Sequence, residues 1–175
     1  MKKLILFAIS LALLLSGCTS SDGTGNFQIY LTDQPIDIDN AKEILVTISE
    51  INVQKEGEGF LTLWSDEETD EKTYDLLKLR NKEEKILDIT LEEGTYTQIR
   101  LVVASGKIVI KGDEQPHDMT VPSSEVKIPV IFTIEPDGVT EIVLDFEAED
   151  SIHVVYAGKS AEYKLRPVIK VKSIS

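Results

Sequence analysis

Cysteine occurs once, tryptophan once and histidine twice in the 175 residues. A single thiol forms no intramolecular disulfide, so any core must hold together by apolar packing alone. His117 and His153 show no His-x-x-x-His spacing, no partner cysteine and no Gly-x-Ser-x-Gly elbow, so zinc and triad chemistry lack their sequence signatures. Positive charge is also scarce. Lys and Arg number 18 against 31 Asp and Glu, a net charge of −13. A field of that sign repels phosphate, which argues against nucleic acid as a partner. A Gly-rich phosphate loop is missing as well, because Gly106-Lys107 has no upstream glycine in the required place.

The most specific feature is the N-terminus. Met1-Lys2-Lys3 precedes a twelve-residue apolar stretch, Leu4 to Leu15, interrupted only by Ser10 and ending in Leu15-Ser16-Gly17-Cys18. A positive start, a short apolar run and small residues form an export signal, and the run is shorter than the roughly 20 residues of a membrane span. Leu-Ser-Gly-Cys resembles the bacterial lipobox, in which the cysteine is acylated after cleavage. That resemblance implies lipidation, palmitate included, at Cys18. Removing residues 1–17, with two lysines and no acid, leaves a net charge of −15. Two or more acyl chains hold a protein stably where one is marginal, so the expected address is the cell envelope, on the outer membrane or cell surface. Thr19 to Asn26 carries no apolar residue and reads as a flexible tether reaching about 15 Å. The division is a lipoprotein signal peptide at 1–17, the lipidated cysteine and tether at 18–26, and one domain at 27–175.

Beyond the tether the chain reads as strands. From Cys18 onward 45 of 158 residues are Ile, Val or Thr, against five alanines, and branched side chains favour the pleated sheet. Phe27, Ile29 and Leu31 alternate with Gln28, Tyr30 and Thr32, the period of a half-buried strand. Ile44, Val46 and Ile48 keep that period, but Ile51 and Val53 fall on the other parity, which predicts a β-bulge near Glu50. Further strands are expected at 60–64, 86–91, 97–104, 107–111, 119–121, 130–134, 139–148, 152–156 and 163–171. Turns are expected at Gly57-Glu58-Gly59, Gly106, Gly112-Asp113, Pro136-Asp137-Gly138 and Gly158. Tyr74 to Asn81 is the one helical stretch. Many short strands with regular turns indicate an all-β sandwich or barrel.

Two details bear on the sandwich. Gly94-Thr95-Tyr96 between two strands resembles the tyrosine corner of immunoglobulin-like folds, the plainer alternative being a strand-edge aromatic. Acids alternate with apolar residues along Glu141 to Glu149, and bases alternate with apolar residues along Tyr163 to Lys172. Were these strands neighbours, acids would face bases across the sheet.

Phe27 to Pro35 (FQIYLTDQP), Gly94 to Leu101 (GTYTQIRL), Val121-Pro122-Ser123, Lys127-Ile128-Pro129, Leu144 to Glu149 (LDFEAE) and Leu165 to Ile169 (LRPVI) together resemble the domain of unknown function 4382 family over about residues 26–171. The resemblance implies an exported, often lipid-anchored protein with an immunoglobulin-like or prealbumin-like β-sandwich, akin to domains that bind carbohydrate or join surface assemblies. It implies no reaction.

Candidate sites follow from residue type. Asp33, Asp37 and Asp39 offer oxygen ligands for calcium, although the spacing breaks an EF-hand loop and turn formation beside Pro35 is the favoured role. Five acids in Asp66 to Glu71 read as a solvated loop or a weak divalent-ion site. Ser124-Glu125-Val126-Lys127 matches Ser-x-x-Lys but lies between Pro122 and Pro129 without the companion motifs. Trp64, Tyr30 and Tyr156, with Tyr74 and Tyr163 behind them, are the aromatics that would stack on a sugar. The alternative for Trp64 is to close one end of the core. The expectation is a non-catalytic binding module for a glycan or an envelope protein. Its alternatives are a structural subunit of an envelope assembly, and a calcium-binding or hydrolytic protein.

Overall fold

The computed structural model describes residues 23–33, 40–67, 72–113, 115–157 and 160–175. Its strands are β1 (Thr24–Thr32), β2 (Ala41–Lys55), β3 (Phe60–Ser65), β4 (Lys72–Asp75), β5 (Glu84–Glu92), β6 (Gly94–Ile110), β7 (His117–Thr120), β8 (Glu125–Ile134), β9 (Val139–Phe146), β10 (Ile152–Ala157), β11 (Ser160–Leu165) and β12 (Ile169–Ile174). A 3-10 turn (Leu76–Lys78) follows β4, and a single-turn helix α1 (Ala148–Ser151) follows β9. Among the described residues no helix is long and apolar enough to cross a membrane.

The strands make an all-β sandwich of two sheets. The smaller has the order β12-β9-β1-β5, and β1 runs parallel to β9 but antiparallel to β5. The larger has eight strands in the order β10-β11-β7-β6-β2-β3, with β4 on β2 and β8 on β6. Its spine is the long β2–β6 pair. One half of β6 takes β8 and the other takes β7, while β2 takes β3 and β4 in the same way.

Alternation decides which faces meet. Phe27, Ile29 and Leu31 of β1, Ile142, Leu144 and Phe146 of β9, and Ile99 and Leu101 of β6 are all buried. Each such side chain contributes on the order of 1.5–3 kcal/mol by leaving water. Phe27 stacks on Phe132 of β8 at 5.0 Å between centroids, joining one sheet to the other. In β2 the buried set changes parity from Ile44, Val46 and Ile48 to Ile51 and Val53, and the β2–β6 register slips on both sides of Ile48. The bulge lies where the sequence demands it.

Four expectations need correction. Thr24 to Asn26, expected in the tether, already lie in β1, where they pair with Glu92 to Thr90 of β5. Residues 97–104 and 107–111 are one strand, β6, and Gly106 lies inside it rather than at a turn. A Cβ there would lie 2.7 Å from Leu165 Cδ2 and 2.9 Å from Met119 Cε, so glycine permits a close approach of β6 to its neighbours. Tyr74 to Asn81 is the end of β4 and one 3-10 turn. Leu76 and Leu79 are both buried, and their spacing of three residues lines up in a three-residue turn. The short helix of the fold is instead α1. Finally, Tyr163 to Val171 divides into β11 and β12, which belong to different sheets. Pro167 offers no N–H to a ladder, and buried Ser151 holds the crossing chain. Ser151 Oγ accepts from Val168 N at 2.8 Å, and the Ser151 carbonyl accepts from Arg166 N at 2.8 Å.

The charge alternation is therefore met by β12 alone. Lys170 lies opposite Asp145 of β9, and its Nζ donates to Glu147 Oε1 at 2.6 Å. The Lys172 Nζ donates to Glu83 Oε1 at 3.0 Å. Pairs this exposed contribute about 0–1 kcal/mol each, so they explain the pattern without implying a binding face.

Candidate functional site

Tyr96 makes the corner that its sequence suggests. Its hydroxyl donates to the Glu92 carbonyl at 3.0 Å, and its ring stacks on Phe132 at 5.2 Å between centroids. Gly94 turns the chain with φ of +137°, where a side chain is strained and a Cβ would lie 2.8 Å from Lys55 Cε. This corner fixes the end of β5, and β5 carries the candidate site.

The site begins with a bulge. Ile29 of β1 opposes Leu87, but the next residue, Tyr30, opposes Lys85. Ile86 is the extra residue, and both Ile86 and Leu87 are buried. Residues three apart in a regular strand point to opposite faces. The inserted residue brings Lys85 and Asp88 onto one face, where Lys85 Nζ donates to Asp88 Oδ2 at 2.6 Å.

A polar chain crosses that outer face. Tyr30 Oη donates to Gln28 Oε1 at 2.8 Å, Gln28 Nε2 donates to Asn26 Oδ1 at 2.6 Å, and Asn26 Nδ2 donates to Asp88 Oδ1 at 2.9 Å. Lys85 Nζ closes the circuit 5.7 Å from the centre of the Tyr30 ring. The hydrogen bonds from Lys85 and then Asn26 hold the Asp88 carboxyl below its usual range, and Asp88 in turn raises Lys85. Lys85 and Asp88 also line a groove of about 250 Å³ with Trp64, Lys72 and Leu87. Lys72 Nζ donates to the Ile86 carbonyl and stands 4.5 Å from the centre of the Trp64 ring. Burial pushes Lys72 below the ordinary lysine range. The site thus offers a half-buried indole, a tyrosine, two ammonium groups, a carboxylate and two amides. That set donates to and accepts from hydroxyl groups beside a ring face.

Of the aromatics singled out by sequence, Trp64 lines the groove with Lys85, and Tyr30 lies 5.7 Å from Lys85 Nζ outside that lining. Tyr156 lies elsewhere, 78% exposed on β10, whereas Trp64 is on β3 at the opposite edge of the larger sheet. Asp33 is buried, with its Oδ1 accepting from the Ala148 amide of α1 at 3.2 Å. That bond ties the end of β1 to α1. Asp37, Asp39 and Cys18 lie outside the described residues. Among the described residues no cluster of three His, Cys, Asp or Glu is placed to hold a metal ion. His117 is hydrogen-bonded to Asp113 at 2.6 Å, and His153 is exposed on β10.

Sequence reasoning missed Asn26, Gln28, Lys72, Lys85 and Asp88. The available signal was the Ile86-Leu87 doublet ahead of the alternating Leu87, Ile89 and Leu91. A second concavity of about 320 Å³ is lined by Pro122, Glu125, Val126, Arg166 and Pro167. Its one acid is engaged by Arg100 at 2.8 Å and Lys127 at 3.3 Å.

A two-sheet, all-β domain with a tyrosine corner is the class that these features define. Residues 24–167 match the family described as Domain of unknown function (DUF4382), and the chain belongs to it. No curated protein and no solved structure matches the chain.

Proposed function

We propose that this domain is a non-catalytic binding module held at the extracytoplasmic surface by lipid on Cys18, and that its ligand is an envelope glycan bound along the Trp64 groove. The observation that carries the reading is the groove that Trp64 shares with Lys85 and Asp88, with Tyr30 5.7 Å from Lys85 Nζ and Asn26 and Gln28 continuing the polar surface. Sugars present hydroxyl groups at their edges and C–H faces that sit on aromatic rings, and this surface offers partners for both. The tether would let the domain search the adjacent wall or surface layer.

Trp64 is the only tryptophan, so intrinsic fluorescence reports on the groove directly. Titration of the purified full chain with host envelope polysaccharide should change that emission saturably, and Trp64→Phe should weaken binding measured by affinity electrophoresis. An unchanged emission across all glycan fractions overturns the reading. For the anchor, an alkyne palmitate analogue should label the wild type and not Cys18→Ala. Label retained in that variant removes the assignment.

A second reading, a structural subunit of an envelope assembly, is favoured by one observation. Among the described residues the edge strand β10 has no acid, lysine, arginine, proline or register shift to oppose pairing with another strand.

A further inference from the structure

A sheet edge presents unpaired backbone N–H and C=O groups, and proteins normally guard it with charge, proline or a bulge. Strand β5 carries Glu84, Lys85, Asp88 and Glu92 together with its bulge. Strand β12 carries Lys170 and Lys172 and a register shift after Val171. Strand β8 carries Lys127 and Pro129, and the β3 ladder slips between Ile51 and Asn52. Strand β10, Ile152-His153-Val154-Val155-Tyr156-Ala157, has no acid, lysine, arginine or proline. It pairs with β11 through six consecutive Cα partners without a register shift. Among the described residues no strand pairs with its other side. Val154, Val155 and Tyr156 are 41%, 40% and 78% exposed.

We infer that β10 is a self-association edge, pairing antiparallel with β10 of a second copy about a two-fold axis through Val154. A two-fold perpendicular to the sheet keeps each side chain on its own face. It therefore sets Val154 against its symmetry mate, Ile152 against Tyr156, and His153 against Val155. These are β-branched and aromatic pairs, of the kind that stabilise antiparallel neighbours. Charge selects the occupant. The chain carries −13 overall, and the uncharged strand is where two such chains meet without opposing like charges. The charged edges β5 and β12 would set lysine or acid against itself in the same arrangement. A two-fold interface also needs only one surface patch to complement itself. Five residues from each copy, Ile152 to Tyr156, make a small contact beside the roughly 1,600 Å² of a standard stable interface. The pairing is therefore weak in dilute solution and favoured where chains are crowded. It sharpens the assembly reading and does not rest on the glycan reading, because the Trp64 groove lies at the far edge of the same sheet.

The test uses the full chain with Cys18→Ser, which makes an added cysteine the only thiol. Directly opposed antiparallel residues have Cα atoms about 4.5–5.5 Å apart, within the range that suits a disulfide. Under mild oxidation of the concentrated protein, Val154→Cys should give a homodimer about tenfold faster than Val139→Cys, an exposed site in the smaller sheet, because only the first is preset at disulfide spacing. Adding Val155→Lys should remove that advantage, and adding Trp64→Ala should leave it. Two results overturn the inference. One is an equal rate of dimer formation for the two variants. The other, with the same oxidation run in cell extract, is capture of the Val154→Cys thiol by a different polypeptide in place of the homodimer.

Discussion

Replacing Tyr96 with phenylalanine isolates one hydrogen bond in a packed setting. The Tyr96 ring is 1% exposed and stacks on Phe132, which stacks in turn on Phe27 across the sheets. Phenylalanine keeps the ring, the stack and nearly all the apolar contact. What disappears is the bond of 3.0 Å from the hydroxyl to the Glu92 carbonyl. A neutral hydrogen bond contributes about 0.5–1.5 kcal/mol net, rising toward 3 kcal/mol where the orphaned partner stays dry. Tyr96→Phe should therefore destabilise by about 1–2 kcal/mol, which for a domain of this size lowers Tm by roughly 2–8 °C. Tyr96→Leu should be worse by a further 0.5–1.5 kcal/mol or so, since it also removes the aromatic stack. Urea denaturation of the full chain provides the measurement, with m held common to all variants. A loss below about 0.3 kcal/mol for Tyr96→Phe would mean that the corner bond does not tie β5 to β6, and the structural role given to Gly94-Thr95-Tyr96 would fail.

Tyr74 is pushed up to about 12 by burial and secondarily by Glu84. A raised acid contributes stability that is complete below its unfolded value of 10.0 and is lost as pH climbs toward the folded one. Stability should fall by roughly 2–3 kcal/mol between pH 10 and 12, a loss that Tyr74→Phe reduces in a pH series of urea melts. Asp88 is held below 3.8, so its contribution is present above that pH and fades only as pH drops through the lower folded value. A carboxyl titration followed by NMR should show Asp88 ionising below 3.8 and returning upward in Lys85→Met; an unmoved midpoint would deny that Lys85 is the chief cause. Gly106→Ala should destabilise by about 1–3 kcal/mol through crowding of Leu165 and Met119, and thermal melting at unchanged Tm would show that the strands have room to spare.

Features written into a single segment were legible, and features that join distant segments were not. The bulge in β2 shows in its own sequence because burial parity changes between Ile48 and Ile51. Tyr96 was legible because its hydroxyl reaches only four residues back, to Glu92. The end of the strand at Leu165 was misread because its cause is Ser151, whose hydroxyl and carbonyl take the amides on either side of Pro167. Gly106 was misread for a similar reason, since the side chains that require a glycine come from β7 and β11.

The candidate site combines both kinds of information. Ile86-Leu87 announces an irregularity in β5, but only the pairing of β5 with β1 shows what the irregularity does. Strand side chains alternate with a period of two, so an inserted residue moves everything on one side of it to the other face. Without Ile86 in excess, Lys85 and Asp88 would point apart. Asn26, Gln28 and Tyr30 would then lack the ion pair that completes their circuit. The same insertion buries Ile86, whose carbonyl receives Lys72 beside Trp64. One extra residue thus sets both the Lys85–Asp88 pair and the carbonyl that anchors Lys72. It follows that the site is set by register more than by residue identity: deleting Ile86 would dismantle it while leaving every one of its polar side chains in the sequence.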